Sequence, residues 1–324
     1  MKAVVCSELG GPDRLSLEDV DPPIAGEGQV VVDIKAASVN FPDLLTIRGM
    51  YQIKAEPPFV PGFESAGVVS AIGPGVSTLA VGDRVAAFGT FGAFAERWAV
   101  DATNCIPLPD DVSFEAGAAI TVAYGTSYHA LKQRARLQQG ETLLVLGAAG
   151  GVGAAAVELG ANMGARVIAA ASSDEKLAFC RELGATETVN YTTDDLRQRI
   201  KEVTEGKGVD IVYDPVGGNL AEAAFRSIAW NGRYLVIGFA AGDIPALPFN
   251  LPLLKGASIV GVFWGSFLQH EPQANEENVQ ELFDLVTSGT ITPRVTDTFP
   301  LASFRDAYRV IEDRTATGKI LLIP

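Results

Sequence analysis

The residues with the plainest chemical meaning lie between Leu143 and Gly153, LLVLGAAGGVG, where an apolar run stops at a glycine-rich turn. A small-residue segment, Ala154 to Met163, follows directly and reads as a helix. Strand, glycine turn and helix in that order form a cradle for a dinucleotide pyrophosphate. Gly150 lets the backbone approach the phosphates, flanked by Ala149, Gly151 and Val152, and Gly153 lets the helix lie close on its strand. Unpaired N–H groups at the helix start, with the helix dipole, favour the negative charge. Ala148 stands where the commonest fingerprint has its first glycine, so the motif reads A-x-G-x-x-G. Glycine turns also serve plain packing, and the flanking chain has to decide between the two.

One strand further on, the residues bear on which dinucleotide is held. NAD-preferring sites end the second strand in Asp or Glu, which accepts hydrogen bonds from the ribose hydroxyls. Here that strand ends Ala169-Ala170-Ala171-Ser172-Ser173, with Ala171 in the acid's place. No carboxylate repels a 2′-phosphate there, Ser172 and Ser173 can donate to one, and Lys176 adds a point charge. These residues predict NADPH; Asp174 and Glu175 oppose it if they face the ligand. No Ser-His-Asp set or carboxylate pair stands out, so the cofactor supplies the hydride and the protein holds it against an acceptor. Phe239, Phe263 and Trp264 follow sheet strands and read either as cleft wall at the strands' carboxyl ends or as core.

These residues need a doubly wound α/β domain to position them. From about Ser113 the chain alternates helix and strand, with strands at Arg166–Ala171, Glu187–Tyr191, Val209–Asp214, Arg233–Gly238 and Ser258–Phe263 after the one ending at Gly147. The preceding 120 or so residues are short β-like runs punctuated by Gly and Pro, a mostly β domain. A last strand, Lys319 to Ile323, is placed to return to that first domain.

The 324 residues suit two domains. With 25 basic and 39 acidic residues the net charge is −14, which disfavours nucleic acid or an anionic membrane as partner. Three scattered cysteines suggest a reducing compartment without a disulfide framework. The opening MKAVVCSELGGPDRL has no long apolar run or processing site, so a cytoplasmic protein is expected. The uncharged stretch Thr142 to Val157 is too short and glycine-split for a membrane span.

In order, Ala36-Ala37-Ser38-Val39-Asn40-Phe41-Pro42-Asp43, Pro61-Gly62-Phe63-Glu64-Ser65-Ala66-Gly67, Val81-Gly82-Asp83-Arg84-Val85, the loop at Ala148 to Gly153, Val189-Asn190-Tyr191, Val212-Tyr213-Asp214-Pro215-Val216-Gly217-Gly218 and Gly318-Lys319 span the whole chain. On them the chain resembles the zinc-free quinone oxidoreductase (zeta-crystallin-like) branch of the medium-chain dehydrogenase/reductase superfamily. The resemblance implies a GroES-like catalytic domain, 1–122 and 265–324, around a Rossmann NADPH-binding domain, 123–264. It also implies a homodimer, often built by pairing the edge strands of the two cofactor sheets.

Zinc alcohol dehydrogenases of this superfamily have Cys, His and Cys where this sequence has Asn40, Phe63 and about Ala118, so no metal is expected. Glu64 then reads as a buried carboxylate holding backbone or an arginine. The family's contacts to the 2′-phosphate fall on Lys176, Tyr191 and Arg314, and Thr126, beside Tyr124, lies where the family approaches the nicotinamide. Asn40 and Tyr51 are the implied donors to the acceptor oxygen, Tyr51 being equally readable as a half-buried loop residue; Asp43 orients a neighbour. Without zinc, alcohol oxidation is handicapped, whereas quinones need only positioning and a hydrogen bond. The expected activity is NADPH-dependent quinone reduction. Two alternatives stand beside it: reduction of the activated C=C bond of enones, 2-alkenals or enoyl thioesters, and a non-catalytic, crystallin-like NADPH-binding role.

Overall fold

The structure is a computed structural model describing residues Met1–Pro324, and it divides into two compact units. One comprises Met1–Val122 with Val286–Pro324, the other Ala123–Leu285. No helix is long and apolar enough to cross a membrane.

The first unit opens with β1 (Lys2–Cys6) paired antiparallel to β2 (Leu15–Asp19), then the long β3 (Gln29–Val39) and α1 (Phe41–Ile47). It continues through β4 (Glu64–Ile72), β5 (Arg84–Phe88), β6 (Arg97–Asp101) and β7 (Cys105–Pro107). Helix α1 was not expected from the sequence. It forms because the Asp43 carboxylate accepts the Asn40 N–H at 2.7 Å, while Pro42 sits in the first turn, where its missing N–H costs nothing.

The second unit takes over within α2 (Phe114–His129), which passes into a π-helical turn, Ala130–Ala135. There follow β8 (Thr142–Leu146), α3 (Gly151–Asn162), β9 (Arg166–Ala171), α4 (Asp174–Glu182), β10 (Glu187–Asn190) and α5 (Leu196–Val203). Next come β11 (Val209–Asp214), α6 (Leu220–Arg226), β12 (Ile228–Val236), α7 (Asn250–Lys255), β13 (Ser258–Gly261), α8 (Trp264–His270) and α9 (Pro272–Thr287). All six strands are parallel, in the order β10-β9-β8-β11-β12-β13. In chain order that is 3-2-1-4-5-6, the doubly wound arrangement, and its crevice opens at the carboxyl ends of β8 and β11. Leu144, Leu146, Ile168 and Val212 are fully buried, as a sheet covered on both faces demands.

The chain returns to the first unit with β14 (Val295–Pro300), α10 (Phe304–Glu312) and β15 (Lys319–Ile323). Its main sheet runs β14-β15-β3-β4-β5-β7, with β6 also pairing with β3. Helix α10 buries Phe304, Ala307 and Tyr308 at helical spacing against this sheet's core, leaving Asp306 and Arg309 outward.

The later boundary falls at 285/286, where the sequence suggested 264/265. Side-chain contacts explain the shift. Trp264 Nε1 donates to Asn275 Oδ1 at 3.2 Å, Gln133 Nε2 to Asn278 Oδ1 at 2.8 Å, and the Tyr128 hydroxyl to Glu281 at 2.6 Å, so α8 and most of α9 join the parallel-sheet unit.

All three cysteines are buried, and burial pushes the Cys105 and Cys180 thiols up to about 12 from 9.0. Both keep their protons when the unfolded chain would already lose them. Stability should therefore be level at neutral pH and fall as pH rises from 9.0 towards 12, by up to about 1.4 kcal/mol per thiol per pH unit. Urea unfolding across that range checks the slope, and native protein should resist iodoacetamide at neutral pH until denatured.

Candidate active site

In the first unit, Glu64 opens β4 with no exposed side-chain surface. Its carboxylate is fully answered. Oε1 accepts from Lys319 Nζ at 2.8 Å and from Asn40 Nδ2 at 2.9 Å, and Oε2 accepts from the Thr121 hydroxyl and from the Val122 N–H at 2.8 Å. Lys319 Nζ also donates to Asn40 Oδ1 at 2.6 Å. The carboxylate thus holds backbone, as the sequence suggested, but its cation is a lysine and not an arginine. Taking two ions out of water costs several kcal/mol each, which is recovered only where every lone pair is met, as here. Asn40, the expected donor to an acceptor, has its amide protons directed at Glu64 and, more weakly at 3.3 Å, at the Ser38 carbonyl.

Asp43 is completely buried beside this group, and burial raises its carboxyl well above the usual range, against the pull of the Asn40 N–H. It orients Asn40's backbone, as the sequence predicted. Tyr51 lies half-buried, its ring edge-on to Phe63 at 5.4 Å, and burial raises its phenol, helped by the charge of Asp43. Phe91 packs 6.5 Å from Phe63 and 5.3 Å from Phe59, extending an aromatic face from Tyr51.

In the second unit, Gly147 (φ 56°) follows the last residue of β8, Leu146, and Gly150 is the N-cap of α3. A Cβ on Gly153 would sit 2.3 Å from the Gly147 carbonyl oxygen, so only glycine lets α3 start this close to its strand. At Gly150 a Cβ would meet nothing nearer than 3.5 Å; the protein itself leaves that space open. The first turn of α3, with Gly151 and Val152, contains no acid, and Ala149 is buried beneath it. These features fit a pyrophosphate.

At the end of β9 the sequence's candidates converge. Lys176 Nζ donates to Ser172 Oγ at 3.3 Å, and Tyr191 N–H to the Ala171 carbonyl at 3.2 Å. Ser173 caps α4 by accepting the Lys176 N–H and donates to Glu175, whose carboxyl pKa is lowered by its own backbone N–H and by this bond, and Asp174 accepts from Asn190 at 3.0 Å. Arg314 belongs to the first unit, at φ 55° after α10. Thr126 is half-buried on α2, whereas Tyr124 is buried and donates to Glu158 at 2.6 Å. Trp264 packs on Gly125 and is core; Phe239 is half-buried against Gly217, and Phe263 is exposed.

Comparison with known proteins accords with both units. Residues 26–110 match the alcohol dehydrogenase GroES-like domain, and residues 151–287 match the zinc-binding dehydrogenase family. A quinone oxidoreductase-like protein 2 homolog of Nematostella vectensis is 39% identical over 99% of this chain and 88% of its own length. The chain belongs to the quinone oxidoreductase-like branch of the medium-chain dehydrogenase/reductase superfamily. Among solved structures, a probable oxidoreductase of Mycobacterium abscessus superposes with TM-score 0.90 at 40% identity, covering 100% of this chain and 99% of its own. A Thermus thermophilus quinone oxidoreductase, also solved with NADPH, gives 0.86 at 37%, covering 100% of both chains.

For this superfamily member the sequence undervalued three residues. Lys319 served only as part of a motif, although a lysine leading the apolar run Ile320-Leu321-Leu322 signals a buried partner. Thr121 gave no local signal. Asp214, ending β11, accepts the Val216 and Gly217 N–H groups at 2.8 Å each and the Tyr234 hydroxyl, and so shapes the loop at the sheet's crevice.

The two loop glycines should separate under substitution. Gly153→Ala should cost about 1–3 kcal/mol, from overpacking against backbone. Gly150→Ala should stay within about 1 kcal/mol, because its site has room. Both should lose dinucleotide binding, as thermal unfolding and titration calorimetry would show.

Proposed function

We propose that this chain is an NADPH-dependent, zinc-independent reductase that transfers a hydride to a quinone. The observation carrying the reading is the end of β9, where Ala171 takes the place of an acid and Ser172, Ser173, Lys176 and Tyr191 gather, with Asp174 accepting from Asn190 and Glu175 from Ser173. It suits a 2′-phosphate and offers a ribose 2′-hydroxyl no acid, and the Thermus relative's complex with NADPH supports it. Arg314 is proposed as a further phosphate contact, and Thr126, Phe239 and Phe263 as nicotinamide-side contacts; Trp264 supports them from the core.

The residues present do not fit zinc. Phe63 and Ala118 offer no lone pair, and the Asn40 oxygen already accepts from an ammonium, which would repel a divalent cation. Bound NADPH would supply the hydride, which with one proton from solvent would convert a quinone to its quinol and leave NADP⁺. The chain's own contribution is position and charge. Asn40 and Tyr51 donate hydrogen bonds to the oxygen that gains negative charge. The aromatic face of Tyr51, Phe63 and Phe91 favours flat conjugated rings.

Asn40→Ala and Tyr51→Phe should each lower kcat, by about a hundredfold for the stronger donor, with NADPH affinity nearly intact. Lys176→Ala and Arg314→Ala should instead raise the NADPH Kd by about tenfold with kcat little changed. A screen of NADPH oxidation against benzoquinones, naphthoquinones, 2-alkenals and enoyl-CoA thioesters, with alcohols and NAD⁺ in reverse, tests the acceptor. Preference for alcohols with NAD⁺ would overturn the reading.

The homodimer is proposed on the edge of the second unit's sheet. Strand β13 has an unpaired edge, and seven of the thirteen exposed large apolar side chains fall between Trp230 and Phe263, including Phe249, Leu253 and Leu254. A second copy pairing antiparallel along β13 would cover both edge and patch. Leu253→Asp/Leu254→Asp should shift the protein from dimer to monomer in sedimentation equilibrium.

A further inference from the structure

The Asn40 carboxamide lies between two groups of opposite hydrogen-bonding character. An ammonium has donors only and an ionised carboxylate acceptors only. Lys319 meets Oδ1 at 2.6 Å, and Glu64 meets Nδ2 at 2.9 Å. Turning the amide over would set N–H against ammonium and C=O against carboxylate, so only one orientation is stable. The remaining Nδ2 proton is held weakly, at 3.3 Å from the Ser38 carbonyl. With the amide plane fixed, it is the proton whose present bond another acceptor can share or displace at least cost.

We infer that Lys319 is a positioning residue for reduction: its buried ammonium locks and polarises the Asn40 carboxamide, so that the loosely held Nδ2 proton serves as donor to the acceptor oxygen. The inference rests on the reductase reading, in which Asn40 makes that bond. Charge drawn from Oδ1 by the ammonium makes the Nδ2–H groups stronger donors, as coupled hydrogen bonds do in a low-dielectric interior. A buried ion pair is seldom retained for stability, because apolar residues of similar volume do as well. An amide locked between donor and acceptor supplies a reason for keeping one. The requirement explains why a lysine occupies the first position of an otherwise apolar terminal strand, with 3% of its side chain exposed.

The test replaces both ions together, Glu64→Gln/Lys319→Met, which strands no charge. NADPH Kd should stay within about twofold, while kcat falls by about tenfold or more. The loss should grow as quinones become weaker oxidants, steepening the dependence of log kcat on acceptor reduction potential. A lysine of purely architectural importance would lower all acceptors by one factor, and that outcome, or an unchanged kcat, overturns the inference. A second measurement needs neither turnover nor the variant. In wild-type protein the Asn40 side-chain amide resonances, identified by their loss in Asn40→Ser, should exchange with solvent at least about tenfold more slowly than those of exposed asparagines. Exchange as fast as at exposed sites overturns the lock even if the double variant fails to fold. Wild-type protein that shows the slow exchange but reduces no quinone would instead retire the reductase reading.

Discussion

A buried ammonium must face a carboxylate, and in the first unit that requirement fastens segments far apart in the chain. Lys319 reaches Glu64 across 255 residues and Asn40 across 279. Register brings them to one end of the sheet. Ile320 on β15 lies opposite Val39 on β3, and Ser38 on β3 lies opposite Glu64 on β4. Because strand side chains alternate in direction, a slip of one residue would turn Lys319 to the other face and strand Glu64. Removing one partner of such a pair costs about 3–5 kcal/mol, so the network also acts against misregistered pairing.

The same carboxylate accepts the Thr121 hydroxyl and the Val122 N–H on α2, the helix that then continues into the second unit. Ordering of the first unit thus includes the start of that helix. Glu64 joins these groups through its hydrogen bonds, and Lys319 stands as its counter-ion.

In the second unit the governing constraint is closeness of backbone. Gly153 admits the Gly147 carbonyl where any other residue would place a carbon. On the neighbouring loop, the carboxylate of Asp214 gathers the Val216 and Gly217 N–H groups, and Val216 approaches Gly147 closely enough to exclude a Cβ there. The crevice between β8 and β11 is therefore lined by two turns that set each other's shape. At the end of β9 the strand finishes in Ala171 without an acid, while Asn190 holds Asp174 and Ser173 engages Glu175 in the first turn of α4.

The parallel sheet, its glycine turn and the acid-free end of its second strand were legible in the sequence because each is local. Strand periodicity, a turn that only glycine can make and a missing carboxylate occupy a few consecutive residues, and local patterns write them directly. Strands β2, β7 and β14 were missed, being short or polar, and α7 and α8 were missed for want of a strong apolar period. The later domain boundary was misplaced because paired side chains fix it, Tyr128 with Glu281 and Gln133 with Asn278, and sequence distance conceals them. The sequence by itself determined the fold class, the dinucleotide loop and the residue types at the expected metal-ligand positions. Only the tertiary structure decided that Glu64 answers Lys319 and that Asn40 lies locked between them. A buried charge selects its partner by distance and desolvation in three dimensions, and those are fixed by strand register, not by spacing along the chain.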